Sequence, residues 1–172
     1  MFAKIEIPSP AGALVAVARG EALCALAFAD HWPKSLMHLE GRFGPVEFSA
    51  PFPKNLASRL RAYLHGELTA MDDLEVDVDG TPFQMRVWKA LRTIPVGETI
   101  SYRELARRAG APGAERAVGN ANGKNPVGLV IPCHRVIHAD GTIGGYGGGI
   151  PRKEWLLKHE RPHAKVRPLR QA

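Results

Sequence analysis

At Asp79-Gly80 the sequence stops alternating and begins to repeat at helical spacing. Thr81-Pro82-Phe83-Gln84 combines an N-cap hydroxyl, a proline at the first helical position and a capping-box glutamine. Phe83, Val87, Leu91 and Ile94 then share one helical face until Pro95 stops it. Ser101-Tyr-Arg-Glu104 is a second capping box, opening a helix through Arg108. Gly110-Ala-Pro-Gly113 is a tight turn, and Ala114 to Asn122 reads as another short helix closed by Gly123. Helix, glycine-bearing turn and helix make a helix-turn-helix pattern. On its own the pattern equally fits two core helices.

Charge separates those readings. Residues 1–80 hold seven basic and eleven acidic side chains, whereas residues 81–172 hold sixteen and six, in a chain of 172 residues with net charge +6. A basic half of this size points to a polyanion, most simply nucleic acid. The second helix of the pair, Arg116-Ala-Val-Gly-Asn-Ala-Asn122, offers mostly small side chains. Small residues let a helix backbone approach DNA closely without reading its sequence. Arg116 is its single long cation.

Residues 1–80 read as a compact α/β scaffold. Residues 2–7 alternate as a strand, Leu14 to Ala18 and Leu23 to Phe28 give two more, and Arg19-Gly20-Glu21 links them as a hairpin. A Pro/Gly-rich stretch follows, then Leu56, Leu60 and Leu64 mark a helix ending near His65-Gly66, and Leu74 to Val78 alternates again. The expected division is a scaffold over 1–80, a binding and chemical domain over 81–161, and a disordered basic tail over 162–172.

Several classes are excluded or disfavoured. The longest early apolar stretch, Ala22 to Ala29, has eight residues, far short of the ~20 that cross a bilayer. Lys4 and Glu6 interrupt any signal-peptide core. Two cysteines in unlike surroundings, Cys24 and Cys133, suggest no disulfide framework, so a reducing cytoplasm is expected. Cys24, His31 and His38 lack a second cysteine, and no zinc is expected there.

Gly128 to Ile131 has the pattern of a short buried strand leading into Pro132-Cys133-His134-Arg135-Val136. An average cysteine is a small buried hydrophobe. Here the adjacent His134 and Arg135 are expected to lower the thiol pKa and raise the fraction of attacking thiolate. Downstream, Gly141 to Gly149 holds six glycines around Tyr146, a stretch able to bring backbone amides close to a flat ligand.

These residues carry a resemblance. Val87-Trp-Lys-Ala-Leu91, Ile94-Pro95, Gly97-Glu98-Thr99, Ser101-Tyr102, Arg116-Ala-Val-Gly119, Asn125-Pro126, Ile131-Pro-Cys-His-Arg-Val136, Gly145-Tyr146, Lys153-Glu-Trp-Leu-Leu157 and Glu160 occur in order. Over nearly the whole chain, and most strongly from Phe83 to Glu160, the sequence resembles the O6-alkylguanine-DNA alkyltransferases. The resemblance implies an α+β protein: an N-terminal ribonuclease H-like α/β domain with a small antiparallel sheet, then a mostly helical winged-helix domain. It implies a single irreversible transfer of an alkyl group from O6 of a guanine, flipped out through the minor groove of duplex DNA, to a cysteine. No metal or organic cofactor is implied, and a monomeric, cytoplasmic protein is expected. Activity on O4-alkylthymine, alkyl-size preference and cooperativity on DNA stay open.

By matching position, Cys133 is the implied acceptor, His134 the base acting through a water, and Glu160 the carboxylate orienting His134. Asn125 is implied to brace the turn before the cysteine, and Tyr102 to crowd the target phosphate and donate to guanine N3. Arg116 is implied to fill the vacated stack, with Ser101, Ala117, Gly119, Asn120, Ala121 and Arg135 at the DNA. Val136, Tyr146, Gly147, Gly148 and Lys153 are implied to form the pocket, with the carbonyls of Cys133 and Val136 accepting from the guanine amino group. Gly147 stands where some members have a hydroxyl residue, and Gly128 where some have proline. Two other classes remain open at this point: a non-catalytic lesion binder, against which Cys133 argues, and a Cys–His–Glu hydrolase, which leaves Arg116 and the basic helix pair unexplained.

Overall fold

The computed structural model describes residues 1–163. It is a mixed α/β structure whose chain forms two compact units, Met1–Val78 with Pro126–Val130, and Asp79–Asn125 with Ile131 onward.

In the first unit, β1 (Phe2–Ile7), β2 (Leu14–Arg19) and β3 (Ala22–Phe28) form an antiparallel sheet in that order. The pairing runs Ile7↔Leu14 in the first hairpin and Arg19↔Ala22 in the second, with an irregularity between Val17 and Ala18. Both sheet edges are partly covered, which removes free pairing groups that would otherwise recruit other strands. Ala50 N–H donates to the Phe2 carbonyl on one side. On the other, Leu23 exchanges bonds with Glu75 and Asp77, and Leu26 with Pro126 and Gly128. The core packs Val17, Cys24, Ala25 and Leu39 against Phe2, Trp32, Phe43, Val46 and Phe48.

Three expectations change here. The stretch after Phe28 contains a helix, α1 (Trp32–Phe43), started by Pro33 in its first turn. Trp32, Leu36, Leu39 and Phe43 are its helix-spaced apolar residues, a signal hidden by the flanking prolines and glycines. Leu74 to Val78 is not a full strand but a single bridge, Leu23↔Val76. Gly128 to Ile131 is not a strand either. Val127 bridges Leu26, then the chain turns, with Val130 N–H bonded to the Gly128 carbonyl at 2.8 Å and Leu129 at φ +66°. Three buried apolar residues after a glycine cannot distinguish a strand from a buried turn. The helix expected from Leu56, Leu60 and Leu64 forms as α2 (Lys54–Leu64).

In the second unit, α3 (Pro82–Leu91) begins with the full capping box, Thr81 and Gln84 each bonding the other's backbone N–H. A two-residue strand, β4 (Ile100–Ser101), precedes α4 (Tyr102–Arg108). Only half of the second capping box forms: the Ser101 hydroxyl accepts from Glu104 N–H, while the Glu104 carboxylate turns to Arg107 and Arg108. Those exposed pairs are stronger partners for a carboxylate than a neutral backbone amide. α5 (Glu115–Gly123) packs on α3 and α4, and the Trp88 indole N–H on α3 donates to the Ala121 carbonyl at 2.9 Å. After a 3-10 turn over Cys133–Arg135, β5 (Val136–Ile137) pairs in parallel with β4. α6 (Ile150–Glu160) packs back against that turn. The expected tail from residue 162 overlaps a 3-10 turn, Arg161–His163; its remainder, 164–172, lies outside the described residues.

Candidate active site

Cys133 opens the 3-10 turn and His134 and Arg135 follow within it, so three consecutive side chains point in different directions from one tight bend. All three are buried. Nε2 of His134 lies 2.8 Å from Oε1 of Glu160, at the end of α6. An ionised carboxylate only accepts, so Nε2 carries the proton and Nδ1 the lone pair. That Nδ1 is buried and has no hydrogen-bond partner among the described residues.

Arg135 is not placed where a DNA contact was expected. Its guanidinium is buried, with Nε 2.9 Å from Oε2 and Nη2 2.9 Å from Oε1 of Glu160, and Nη1 donates to the Ile94 carbonyl at 2.7 Å. The fork is bidentate, and each of its three nitrogens has a partner. Burial alone would push the Glu160 carboxyl up, but His134 and Arg135 together outweigh it and hold it well below the carboxylate range. Burial also drives the His134 imidazole below its ordinary value, with Glu160 opposing and Arg135 assisting. His134 is therefore neutral near pH 7, the form that can accept a proton.

The thiol corrects a second expectation. Burial raises the Cys133 pKa above its ordinary value. The groups pulling it back are the Asn125 side chain, the Lys153 charge and the backbone N–H groups of Cys133 and His134. Arg135 faces Glu160 instead of the sulfur. The resting residue is a thiol.

Around the sulfur, Asn125 Nδ2 donates to the Ile131 carbonyl at 2.7 Å. Lys153, wholly buried on α6, donates from Nζ to the Val136 carbonyl at 2.6 Å and the Gly145 carbonyl at 3.1 Å. Burial lowers its pKa to about 8, against the attraction of Cys133. Burial raises both phenols, Tyr102 and Tyr146, so each keeps its proton, and an ionised Cys133 would raise them further. The Tyr102 ring lies 5.5 Å from that of His138. A Cβ at Gly119 on α5 would lie in ordinary contact with that ring at 3.8 Å, and one at Gly144, where φ is +73°, would lie 3.3 Å from Nε2 of His138 and 3.5 Å from the ring. Gly147 is exposed and Gly148 half-buried in the loop before α6.

On α5, Arg116, Ala117 and Asn120 are exposed and share one face. Ala121 does not join them. It is buried, and its carbonyl is engaged by Trp88. Ser101 is half-buried, with its hydroxyl occupied as a cap. No group of three or more acidic, histidine or cysteine side chains that could hold a metal ion occurs among the described residues.

A family model for the DNA binding domain of 6-O-methylguanine DNA methyltransferase matches residues 82–162. The methylated-DNA–protein-cysteine methyltransferase of Mycolicibacterium paratuberculosis is 48% identical over 158 residues, covering 92% of each chain. The chain belongs to the methylated-DNA–protein-cysteine methyltransferase family. Its structure resembles the O6-methylguanine methyltransferase of Mycobacterium tuberculosis, at a TM-score of 0.79 and 44% identity over 97% of each chain. It likewise resembles that organism's OGT in complex with DNA, at a TM-score of 0.75 and 43% identity, covering 95% of this chain and 94% of that one. This methyltransferase is thus a DNA-binding repair enzyme, and no helix among its described residues is long and apolar enough to cross a membrane.

One residue of the methyltransferase's site escaped sequence reasoning. Asn122 is buried on α5, and its Nδ2 donates to the Cys133 carbonyl at 3.3 Å. It lies one helical turn after the buried Val118. A polar residue on the apolar face of an amphipathic helix was the available signal.

Proposed function

We propose that the protein repairs duplex DNA by moving an alkyl group from O6 of guanine to Sγ of Cys133, once per molecule. A sulfur–carbon bond forms as the carbon–O6 bond breaks. The thiol proton passes through a water to Nδ1 of His134, and the departing guanine anion recovers a proton in turn. The net result is a thioether and a normal guanine. The observation that carries this reading is the neutral His134, held at Nε2 by Glu160 and unpartnered at Nδ1, directly after a buried, protonated cysteine. Glu160 stabilises the imidazolium that forms, and Arg135 keeps Glu160 ionised throughout.

The remaining roles follow the exposed and buried placements. Arg116, Ala117 and Asn120 face the minor groove, with Gly119 allowing close approach, and Arg116 fills the stack left by the flipped base. That offsets part of a cost of about a few kcal/mol. Tyr102 donates to guanine N3, stabilising the leaving anion, and Ser101 shapes the entry to α4 beside the phosphate. Tyr146, Gly147 and Gly148 wall the pocket. The Cys133 and Val136 carbonyls accept from the guanine amino group, each using the lone pair that Asn122 or Lys153 leaves free. Asn125 braces the turn into the cysteine, and Lys153 steadies the loop and favours the developing thiolate. We read the first unit as a ribonuclease H-like scaffold and the second as a winged helix, working as a monomer in the cytoplasm. O4-alkylthymine fits the same displacement chemistry as a secondary substrate.

Substituting Arg116→Ala tests the flipping step. Transfer from an O6-methylguanine duplex is expected to fall by tenfold or more, while transfer from the free modified base stays unchanged. Equal losses on both substrates would remove base flipping from the reading.

A further inference from the structure

The stretch that carries the nucleophile has three of its carbonyls held by side chains from elsewhere. Asn125 holds Ile131, Lys153 holds Val136, and Asn122 holds Cys133 itself. Asn122 differs from the other two in sitting on α5, the helix that exposes Arg116. It is 7% exposed, and its Oδ1 has no hydrogen-bond partner among the described residues. A leucine there would complete the apolar face formed by Val118 and Ala121 without desolvating an amide. The half-used amide therefore has one structural output, its donor on the Cys133 carbonyl.

That carbonyl belongs to the peptide plane between Cys133 and His134. A carbonyl oxygen has two lone pairs. With Asn122 fixing one, the plane cannot rotate freely and the second lone pair keeps a set direction.

We infer that Asn122 is a positioning residue that aims the Cys133 carbonyl at the 2-amino group of the target purine and couples that reading to α5. The inference rests on the alkyl-transfer reading above. It makes Asn122 a determinant of base discrimination, distinct from any part it has in holding the fold.

The test compares transfer rates from duplexes carrying O6-methylguanine and O6-methylhypoxanthine, which lacks the 2-amino group. The unaltered protein is expected to prefer the guanine lesion. Asn122→Leu and Asn122→Ala, which remove the donor without introducing a charge, are each expected to slow transfer from the guanine lesion about three- to tenfold, the scale of one hydrogen bond. Transfer from the hypoxanthine lesion should change little, so the ratio collapses toward one. A ratio preserved in a variant that melts cooperatively overturns the inference, because a purely structural role slows both substrates alike. Equal rates on the two lesions in the unaltered protein overturn it as well. If the unaltered protein transfers nothing to Cys133, the alkyl-transfer reading fails with it, and intact mass distinguishes that case from the others.

Discussion

Cys24 and Cys133 are both buried, and burial raises the pKa of each. Cys24 sits in β3 among Val17, Ala25 and Leu39, its sulfur 3.5 Å from the Val17 carbonyl. Burial, assisted by Asp77, takes its pKa to about 11. The cations that oppose this shift, Arg42 and Arg19, are paired with that same aspartate. Around Cys133 the surroundings are of another kind. The five buried polar or charged side chains found among the described residues, Asn122, His134, Arg135, Lys153 and Glu160, all belong to the second unit. On the proposed reading, what sets Cys133 apart is not a lowered pKa but a neutral base and a compensating charge beside a buried thiol. Such an arrangement is expensive to fold, since each buried charge forfeits its hydration, and the first unit contains nothing like it.

The largest expected departure comes from removing the base. His134→Gln should slow alkyl transfer about 10²–10⁴-fold, the usual range for a positioned acid–base group, as measured by single-turnover kinetics. A loss of less than tenfold would mean that the thiol ionises unaided and that the two cysteines differ in pKa after all.

Next is the ion pair. Glu160→Gln leaves Arg135 buried without its counter-ion and should cost about 3–5 kcal/mol in urea unfolding. The pH dependence follows from the same groups. His134 and Glu160 both bind protons more weakly when folded than their ordinary values of 6.5 and 4.5. The unfolded chain therefore takes up more protons in acid, and stability falls as pH drops from about 7, first through His134 and then through Glu160. Unfolding midpoints that stay level from pH 7 to pH 5, or a His134→Gln variant with an unaltered slope, would contradict this.

The smallest effect belongs to the other thiol. Cys24→Ala should leave transfer unchanged and lower stability by about 1 kcal/mol, as a modest core truncation does. A slowed transfer would make the first unit a participant in the chemistry.

Much of this was legible because the signals are local. Thr81 and Gln84 lie three residues apart and bond each other, and Leu56, Leu60 and Leu64 lie on one turn-spaced line. The half-formed box at Ser101 shows the limit, since Glu104 had better partners in Arg107 and Arg108. Longer-range facts were not readable without a resemblance. Arg135 looked like a cation for DNA or for the thiol, and only the fold brings Glu160, 25 residues away, onto it. The pair of strands at Ile100–Ser101 and Val136–Ile137 is too short to leave a periodic trace. Gly128 to Ile131 reads as strand because burial, not strand geometry, dictates the apolar residues Leu129, Val130 and Ile131.

The central claim concerns which sulfur takes the carbon. After incubation of the unaltered protein with a duplex containing O6-methylguanine, proteolysis and mass spectrometry locate the added methyl group. It is expected on Sγ of Cys133, with Cys24 unmodified in the same sample. A methyl group on Cys24, or none on either cysteine, would contradict the account.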